Sequence, residues 1–378
     1  MASAAPYLLA LSLVARFAVT YLVPNGTNFI DLHVYVDGAA TMRDGGLYDF
    51  VYHPVIPPLP LQFTYPPFAG VVFYPLHFVA FPVVALCWQL GTVAALYGSA
   101  VLVLRLLGRP DARQAMAWTA LAIWFEPMRH LFELGQIGAL LMVAVLYAVV
   151  STRWWVSGLL VGLATGMKLT PAVAGAYFVG ARRWGVVLSS VAVFGATVAA
   201  SIALGGAQAR LYFTDLLGNA SRVGVVDTPM NQSLRGVVGY VEGHDGGYGA
   251  PMLAAVALTA VVSVAAWWRV GADDALGRIV VVMMFGLLIS PISWTHHWVW
   301  MLPLAMWLIL GPARPGGRWV GWGWVALGYL GAPWLVTFAG DTGRMDGRPW
   351  YADLFGSLYV LAAVATLTYL AVVSRRSR

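Results

Sequence analysis

Residues 82–104 read PVVALCWQLGTVAALYGSAVLVL, with no charged side chain in the whole stretch. An α-helix of about 20 apolar residues crosses the hydrocarbon core of a bilayer, so this stretch is read as a membrane span. Working outward from it, further apolar runs fall at 7–23, 114–125, 136–150, 155–167, 170–180, 185–204, 251–268, 278–290, 298–311, 319–338 and 354–373. Several are too short to cross as straight helices, and these are expected to be broken or tilted. Only 10% of the 378 residues are charged, against about 25% in soluble domains. The expected fold is an all-α polytopic membrane protein of about 12 transmembrane helices. It forms one integral-membrane domain over 1–378, with long outer loops at about 24–81 and 205–250.

Composition excludes several functions. The formal charge of +6 comes from arginines scattered through short loops, not from a basic face, so no nucleic-acid partner is expected. Cys87 is the sole cysteine, which excludes an intramolecular disulfide and a thiolate metal cluster. The first run lacks a basic leader and a clear cleavage site, and it reads as a retained span. Arginine sets the orientation. Arg105, Arg109, Arg113, Arg153, Arg182 and Arg183 lie in short alternate loops, and Arg375, Arg376 and Arg378 end the chain on the same side. Fewer arginines, among them Arg43, Arg222, Arg344 and Arg348, occupy the longer opposite loops with most of the acids. Both termini are therefore expected in the cytoplasm of a bacterial plasma membrane. The histidines, from His33 to His297, fall at or near the outer face.

The chemistry is sought on that outer side. NFIDLHVYVDGAA (28–40) follows the first span and holds Asp31, His33 and Asp37. On a helix Asp31 and Tyr35 share one face at i, i+4, as do His33 and Asp37. Asp31 reads either as a solvated helix cap or as a general base tuned by a half-apolar setting. HPVIPPLPLQFTYPPF (53–68) reads as a non-helical, interfacial segment, because proline blocks helix and aromatics suit the headgroup zone. It carries Tyr65, a candidate substrate contact.

Four more motifs lie further along. FEPMRHLFELGQIGALL (125–141) puts Glu126, Arg129, His130 and Glu133 between two spans and opens the next with Gln136. The Gln136 amide suits sugar hydroxyls, while Glu133 reads as an ordinary loop charge. GLATGMKLTPAV (162–173) sets Lys168, the one lysine, where two short segments meet. It is either a phosphate-binding cation or a snorkelling side chain. TPMNQSLRGVV (228–238) clusters Asn231, Gln232 and Arg235, the amides for sugar and the arginine for phosphate, with a helix N-cap as the plainer role for Asn231. Asn25, Asn219 and Asn231 each match a glycosylation pattern, which in a bacterium is read as incidental. SPISWTHHWVW (290–300) offers His296, His297 and Trp294. Adjacent histidines point apart and make poor metal ligands. Phosphate pairing or proton relay suits them, or an aromatic-belt anchor. There is no glycine-rich phosphate loop, so the donor is expected to arrive through the lipid.

Taken in order, DLHVYVDGAA, LYDF with FTYPPF, GQIGALL, GMKLTP, NQSLRG and SPISWTHHW resemble the PimE-like family of polyprenyl-phosphate-mannose-dependent α-1,2-mannosyltransferases, within the GT-C superfamily of membrane glycosyltransferases. The match runs from about residue 28 to 300. The resemblance implies a GT-C fold with an extracytoplasmic active site, a polyprenyl-phosphate-mannose donor and a mannolipid acceptor, such as a phosphatidylinositol mannoside. It also implies inversion, with a β-linked donor giving an α-linked product, and neither metal nor other cofactor. The family's first-loop aspartate falls on Asp31, and its late-loop histidine on His296 or His297. Lys168, Arg235 and a histidine are then expected to neutralise the leaving phosphate. Tyr35, Asp37, Tyr65, Gln136, Asn231, Gln232 and Trp294 are expected to contact substrate, and the apolar surface of 53–68 to guide the prenyl tail. The chain is expected to act as a monomer among membrane lipids. The alternatives are transfer of another sugar such as arabinose, a polymer ligase, a lipid or sugar transporter, and a non-catalytic scaffold. A transporter calls for intramembrane charges and inverted repeats, neither of which is evident.

Overall fold

The computed structural model describes residues 2–24, 27–55, 59–338 and 350–373. Asn25, Arg344, Arg348, Arg375, Arg376 and Arg378, used above in reading glycosylation and orientation, lie outside the described residues, as do positions 56–58 of the proline-rich segment. The described chain is helical almost throughout. Its two strands, Val51–Tyr52 and Leu61–Gln62, pair antiparallel with Val51 opposite Gln62. The first precedes the proline-rich stretch and the second lies within it, where prolines lack N–H groups and have fixed φ angles that disfavour helix. Helix resumes at Pro67–Phe73, two residues earlier than the sequence reading allows, because proline is tolerated in a first helical turn.

Among the described residues four helices are long and apolar enough to cross a membrane: Ala5–Leu22, Phe81–Leu106, Trp184–Leu216 and Ala250–Val270. Two bent pairs reach that length together. Glu126–Leu134 and Gly138–Val150 meet at 119°, and Trp350–Gly356 and Leu358–Val372 at 63°. Trp154–Met167 and Ala275–Ile289 are shorter apolar helices. The remaining apolar runs are interrupted. Run 170–180 becomes a 3-10 turn at Thr170–Val173, containing Pro171, followed by Ala174–Gly180. Run 319–338 breaks at Gly331. The helix that begins at Trp184 continues to Leu211, beyond the expected end at 204, with a kink at Gly206.

The chain divides into two compact units. The first comprises 1–102, 112–123 and 129–223. Its core gathers around the Ile30–Ala40 helix, where Leu32, Tyr35, Val36 and Ala39 pack with Leu47, Phe63, Phe73 and Ile137. In the same unit Trp154–Met167 lies tightly along the helix from Trp184. Gly158, Gly162 and Gly166 form the contact stripe. A Cβ at Gly162 would meet Val193 at 2.6 Å and one at Gly166 would meet Thr197 at 2.5 Å, and Gly158 faces Ser189 as closely. Small residues four apart let two membrane helices approach to backbone contact.

The second unit comprises 103–111, 124–128 and 224–378. Met301–Leu310 is buried along nearly its whole length and packs on Gly317–Leu330. Trp307 donates its indole N–H to Asp274 (2.9 Å), and the same carboxylate caps Ala275–Ile289 by accepting from Gly277 N (2.8 Å). A buried carboxylate needs such donors to offset its lost hydration.

Candidate active site

The first unit brings together four of the predicted site residues around Asp31. The Ile30–Ala40 helix starts from Phe29, whose φ of 49° is left-handed. That conformation costs a bulky residue about 1–2 kcal/mol, and hydrogen bonds hold it: the N–H groups of Asn28 and Phe29 donate to Glu133 O at 3.2 and 2.9 Å. The helix entry is thereby fixed to the 129–134 turn. Asp31 lies in the first helical turn, half-buried. Its face also carries Tyr35, as the i, i+4 spacing predicts, and Tyr35 is fully buried.

Gln136 is the centre of the cluster. It follows Gly135, whose φ is 74°, in the sharp turn between Glu126–Leu134 and Gly138–Val150. Its side-chain oxygen accepts from Tyr35 Oη at 3.0 Å, Tyr65 Oη at 3.3 Å and Lys168 Nζ at 3.5 Å. Its amide hydrogen-bonds the Asp31 carboxylate. The two tyrosine hydroxyls lie 2.8 Å apart. Lys168 closes the Trp154–Met167 helix in an extended conformation, just beyond its last turn, with Nζ 5.2 Å from the Tyr65 ring centre.

Withdrawal from water pushes the Asp31 carboxyl up to about 6, while the Gln136 hydrogen bond and the Lys168 charge pull the other way. The same withdrawal lowers Lys168 to about 8, against the raising influence of Asp31. An acid with its pKa near neutrality has the basicity proton abstraction calls for. The ammonium beside it supplies a positive charge for an anionic group.

His33 and Asp37 form the other predicted pair, 2.9 Å apart. They lie on a different face of the same helix from Asp31 and Tyr35. The His33 ring stacks on Phe81 at 3.7 Å and on Tyr52 at 4.9 Å. Asp37 is thus engaged with His33 and takes no part in the Gln136 cluster.

The second unit holds the remaining candidates. Asn231 is fully buried and spends its side chain on main-chain partners: Nδ2 donates to Val226 O (2.9 Å) and Pro291 O (3.1 Å), and Oδ1 accepts from Ser293 N (2.9 Å). Gln232 is equally buried. Its Nε2 donates to Pro229 O and Gly356 O, and its oxygen accepts from Tyr359 N at 3.1 Å. The amides expected to face sugar therefore knit the 228–233 loop to 291–293 through Asn231 and to 356–359 through Gln232. Arg235 is held in a two-pronged pair by Asp245, at 2.9 and 2.7 Å, so its charge is already matched. Trp294 is half-buried, bridges to Asn231 and covers Gly224. The His296 and His297 rings stand perpendicular, 4.7 Å between centres, as neighbours in a 3-10 turn must.

Two features were under-read from sequence. Glu133 is no ordinary loop charge: besides holding the entry to the Asp31 helix, its carboxylate lies 3.7 Å from buried Arg16 and 3.5 Å from both Arg129 and His130. The legible signal was Arg16 inside an apolar span, because a buried cation in a membrane demands a partner. The second is the Gly158, Gly162, Gly166 stripe, whose four-residue spacing is visible in sequence and fixes the helix that ends at Lys168.

The chain belongs to glycosyltransferase family 87, whose model matches residues 63–291; it is a glycosyltransferase. Over 372 residues it is 56% identical to a polyprenol-phosphate-mannose-dependent alpha-(1-2)-phosphatidylinositol pentamannoside mannosyltransferase of Mycolicibacterium smegmatis, covering 97% of this chain and 91% of the relative. It is 54% identical over 381 residues to the enzyme of the same description from Mycobacterium tuberculosis, covering 99% and 88%. A polyprenol-phosphate-mannose-dependent alpha-(1-2)-phosphatidylinositol mannoside mannosyltransferase of Mycobacterium tuberculosis is 31% identical over 359 residues, covering 89% and 83%. No solved structure gives a significant match.

Proposed function

We propose that this glycosyltransferase moves mannose from polyprenol-phosphate-mannose to a phosphatidylinositol mannoside, the pentamannoside in first place, forming an α-(1-2) link. Near-full-length identity to enzymes of that description supports the substrates. The observation that carries the mechanism is the Asp31 carboxyl, raised to about 6 and set against Gln136 and Lys168. In a single displacement, Asp31 takes the proton of the acceptor hydroxyl as that oxygen bonds to the anomeric carbon. The anomeric carbon–oxygen bond to phosphate breaks, its electrons leave with the polyprenol phosphate, and the configuration inverts. Lys168 balances the charge gathering on that phosphate. Tyr65, Tyr35 and Gln136 orient sugar hydroxyls. No metal or other cofactor enters this scheme.

His296 and His297 are a second candidate set, for phosphate or proton handling, and are tested separately by alanine replacement. Asn231 and Gln232 serve as scaffold, and Arg235 as a partner of Asp245. The arginine distribution supports an extracytoplasmic site with both termini in the cytoplasm. The broken segments, joined end to end, complete about 12 crossings in this proposal.

The test is incubation of the purified chain with polyprenol-phosphate-mannose and a phosphatidylinositol pentamannoside, followed by mass spectrometry. The expected product is one hexose heavier, and Asp31→Asn should yield none. An unchanged acceptor with wild-type protein overturns the substrate assignment; full activity of the variant removes Asp31.

A further inference from the structure

Tyr48, in the LYDF stretch, is a junction within the first unit. Its ring is buried in that unit's core, and each of its polar groups engages a different residue. The N–H donates to Gln208 Oε1 at 3.0 Å. The carbonyl accepts from Arg222 Nη2. The phenol donates to the main-chain carbonyl of Tyr65 at 2.9 Å. The ring stacks on Tyr212, centres 5.5 Å apart.

Gln208, Tyr212 and Arg222 lie on one stretch of chain, 206–222. Gly206 opens it with φ 51° and ψ −123°, a conformation that glycine adopts and side-chain-bearing residues rarely do. The resulting kink falls just before Gln208. Tyr212 begins a π-helical turn, Tyr212–Leu216, and Arg222 ends the 3-10 turn Ala220–Arg222. This stretch grips Tyr48, and Tyr48 grips Tyr65. The main chain at Tyr65 has few local holds, because Pro66 and Pro67 follow it. They offer no N–H, and a residue before proline is pushed toward extended backbone. From there the Tyr65 phenol meets Tyr35 Oη at 2.8 Å and Gln136 Oε1 at 3.3 Å.

We propose that Tyr48 is a positioning residue for the transfer reaction: it places the Tyr65 phenol in the Asp31 cluster, and the seating of 206–222 in turn places Tyr48. The proposal rests on the reading above in which Tyr65 orients a sugar hydroxyl. A group displaced by about 1 Å can cost about 100-fold in rate, so a residue one hydrogen bond removed from the site can govern turnover.

Placement is read without turnover by fluorine NMR on the full chain in detergent, with 3-fluorotyrosine at position 65. Tyr48→Phe keeps the ring and deletes only the phenol oxygen; it should shift or split the Tyr65 fluorine resonance. Arg222→Met and Gly206→Ala alter the hold on Tyr48 and should move the resonance in the same sense. A Cβ at Gly206 meets nothing within 4 Å, so that variant acts through the backbone alone. Tyr147→Phe, at an exposed tyrosine on the Gly138–Val150 helix, should leave the resonance in place. A resonance unmoved by Tyr48→Phe overturns the proposal, as does one moved equally by Tyr147→Phe. One that ignores both Arg222→Met and Gly206→Ala overturns the part given to 206–222.

Turnover gives the second measurement. A neutral hydrogen bond is worth about three- to tenfold. Tyr48→Phe should therefore lower kcat about tenfold, with the KM of each substrate within about twofold. In a Tyr65→Phe background no phenol remains to be placed, and the same change should cost less than about twofold. Equal losses in the two backgrounds overturn the proposal and leave Tyr48 a role in stability alone. If no hexose reaches the pentamannoside while the fluorine signal follows Tyr48→Phe, the substrate assignment fails and the placement of Tyr65 stands; transfer with a signal that ignores Tyr48→Phe is the reverse.

Discussion

Gly135 and Leu32 touch at a separation that admits no side chain: a Cβ on the glycine would lie 2.5 Å from the Leu32 Cβ. The turn that delivers Gln136 is therefore pressed against the helix that carries Asp31. Gly135→Ala adds this clash to a left-handed φ costing about 1–2 kcal/mol. We expect kcat to fall about tenfold to a hundredfold, with a lower melting temperature in detergent. Leu32→Gly in the same protein removes the Cβ that is struck and should restore part of the lost activity. Additive losses in the double variant would break the link between the two positions.

Asp31→Asn keeps shape and hydrogen bonding while removing the base. Base assistance is worth roughly 10²–10⁴ in rate, and a loss of that size is expected while donor binding persists. Donor binding is read by equilibrium titration of the purified protein, alongside the product assay. Loss of binding together with turnover would instead assign Asp31 to substrate holding.

The pH profile follows from the two raised and lowered groups. Asp31 works as the anion, so activity should rise as pH climbs through about 6. Lys168 works as the cation, so activity should fall as pH climbs through about 8. The result is a bell between those limits. Lys168→Arg keeps the charge at higher pH and should carry the alkaline limb upward, at reduced kcat because the guanidinium is wider. An unmoved alkaline limb would assign it to another group.

Much of this was legible from residue order because membrane folding leaves strong traces. The uncharged stretch at 82–104 became the Phe81–Leu106 helix, and the i, i+4 pairs on 28–40 took the faces their spacing requires. What could not be read was which polar groups are consumed internally. Asn231 and Gln232 have the chemistry to bind sugar, and so has Gln136. Only the tertiary arrangement decides that the first two satisfy buried main-chain groups while Gln136 meets Asp31. Run lengths also misled, since an apolar stretch records burial whether or not the helix is continuous, as at Pro171 and Gly331.

Asn231→Ala tests the scaffold role in the second unit. It leaves the Ser293 N–H and the carbonyls of Val226 and Pro291 without their side-chain partner. Each buried group left unsatisfied costs about 1–3 kcal/mol. A clear drop in thermal stability is expected, accompanied by faster proteolysis of the 228–233 loop. Full stability with reduced activity would return Asn231 to substrate contact.

A carbonyl oxygen has two lone pairs, yet three donors converge on the one in Gln136. They cannot all be served at full strength together. The two phenols also lie within hydrogen-bond distance of each other, so the donors can exchange partners, and an arriving hydroxyl or phosphate oxygen can take one of them while the others pair again. Such a network yields a donor by rearrangement, and the cost of welcoming a substrate is lower than the crowded geometry suggests.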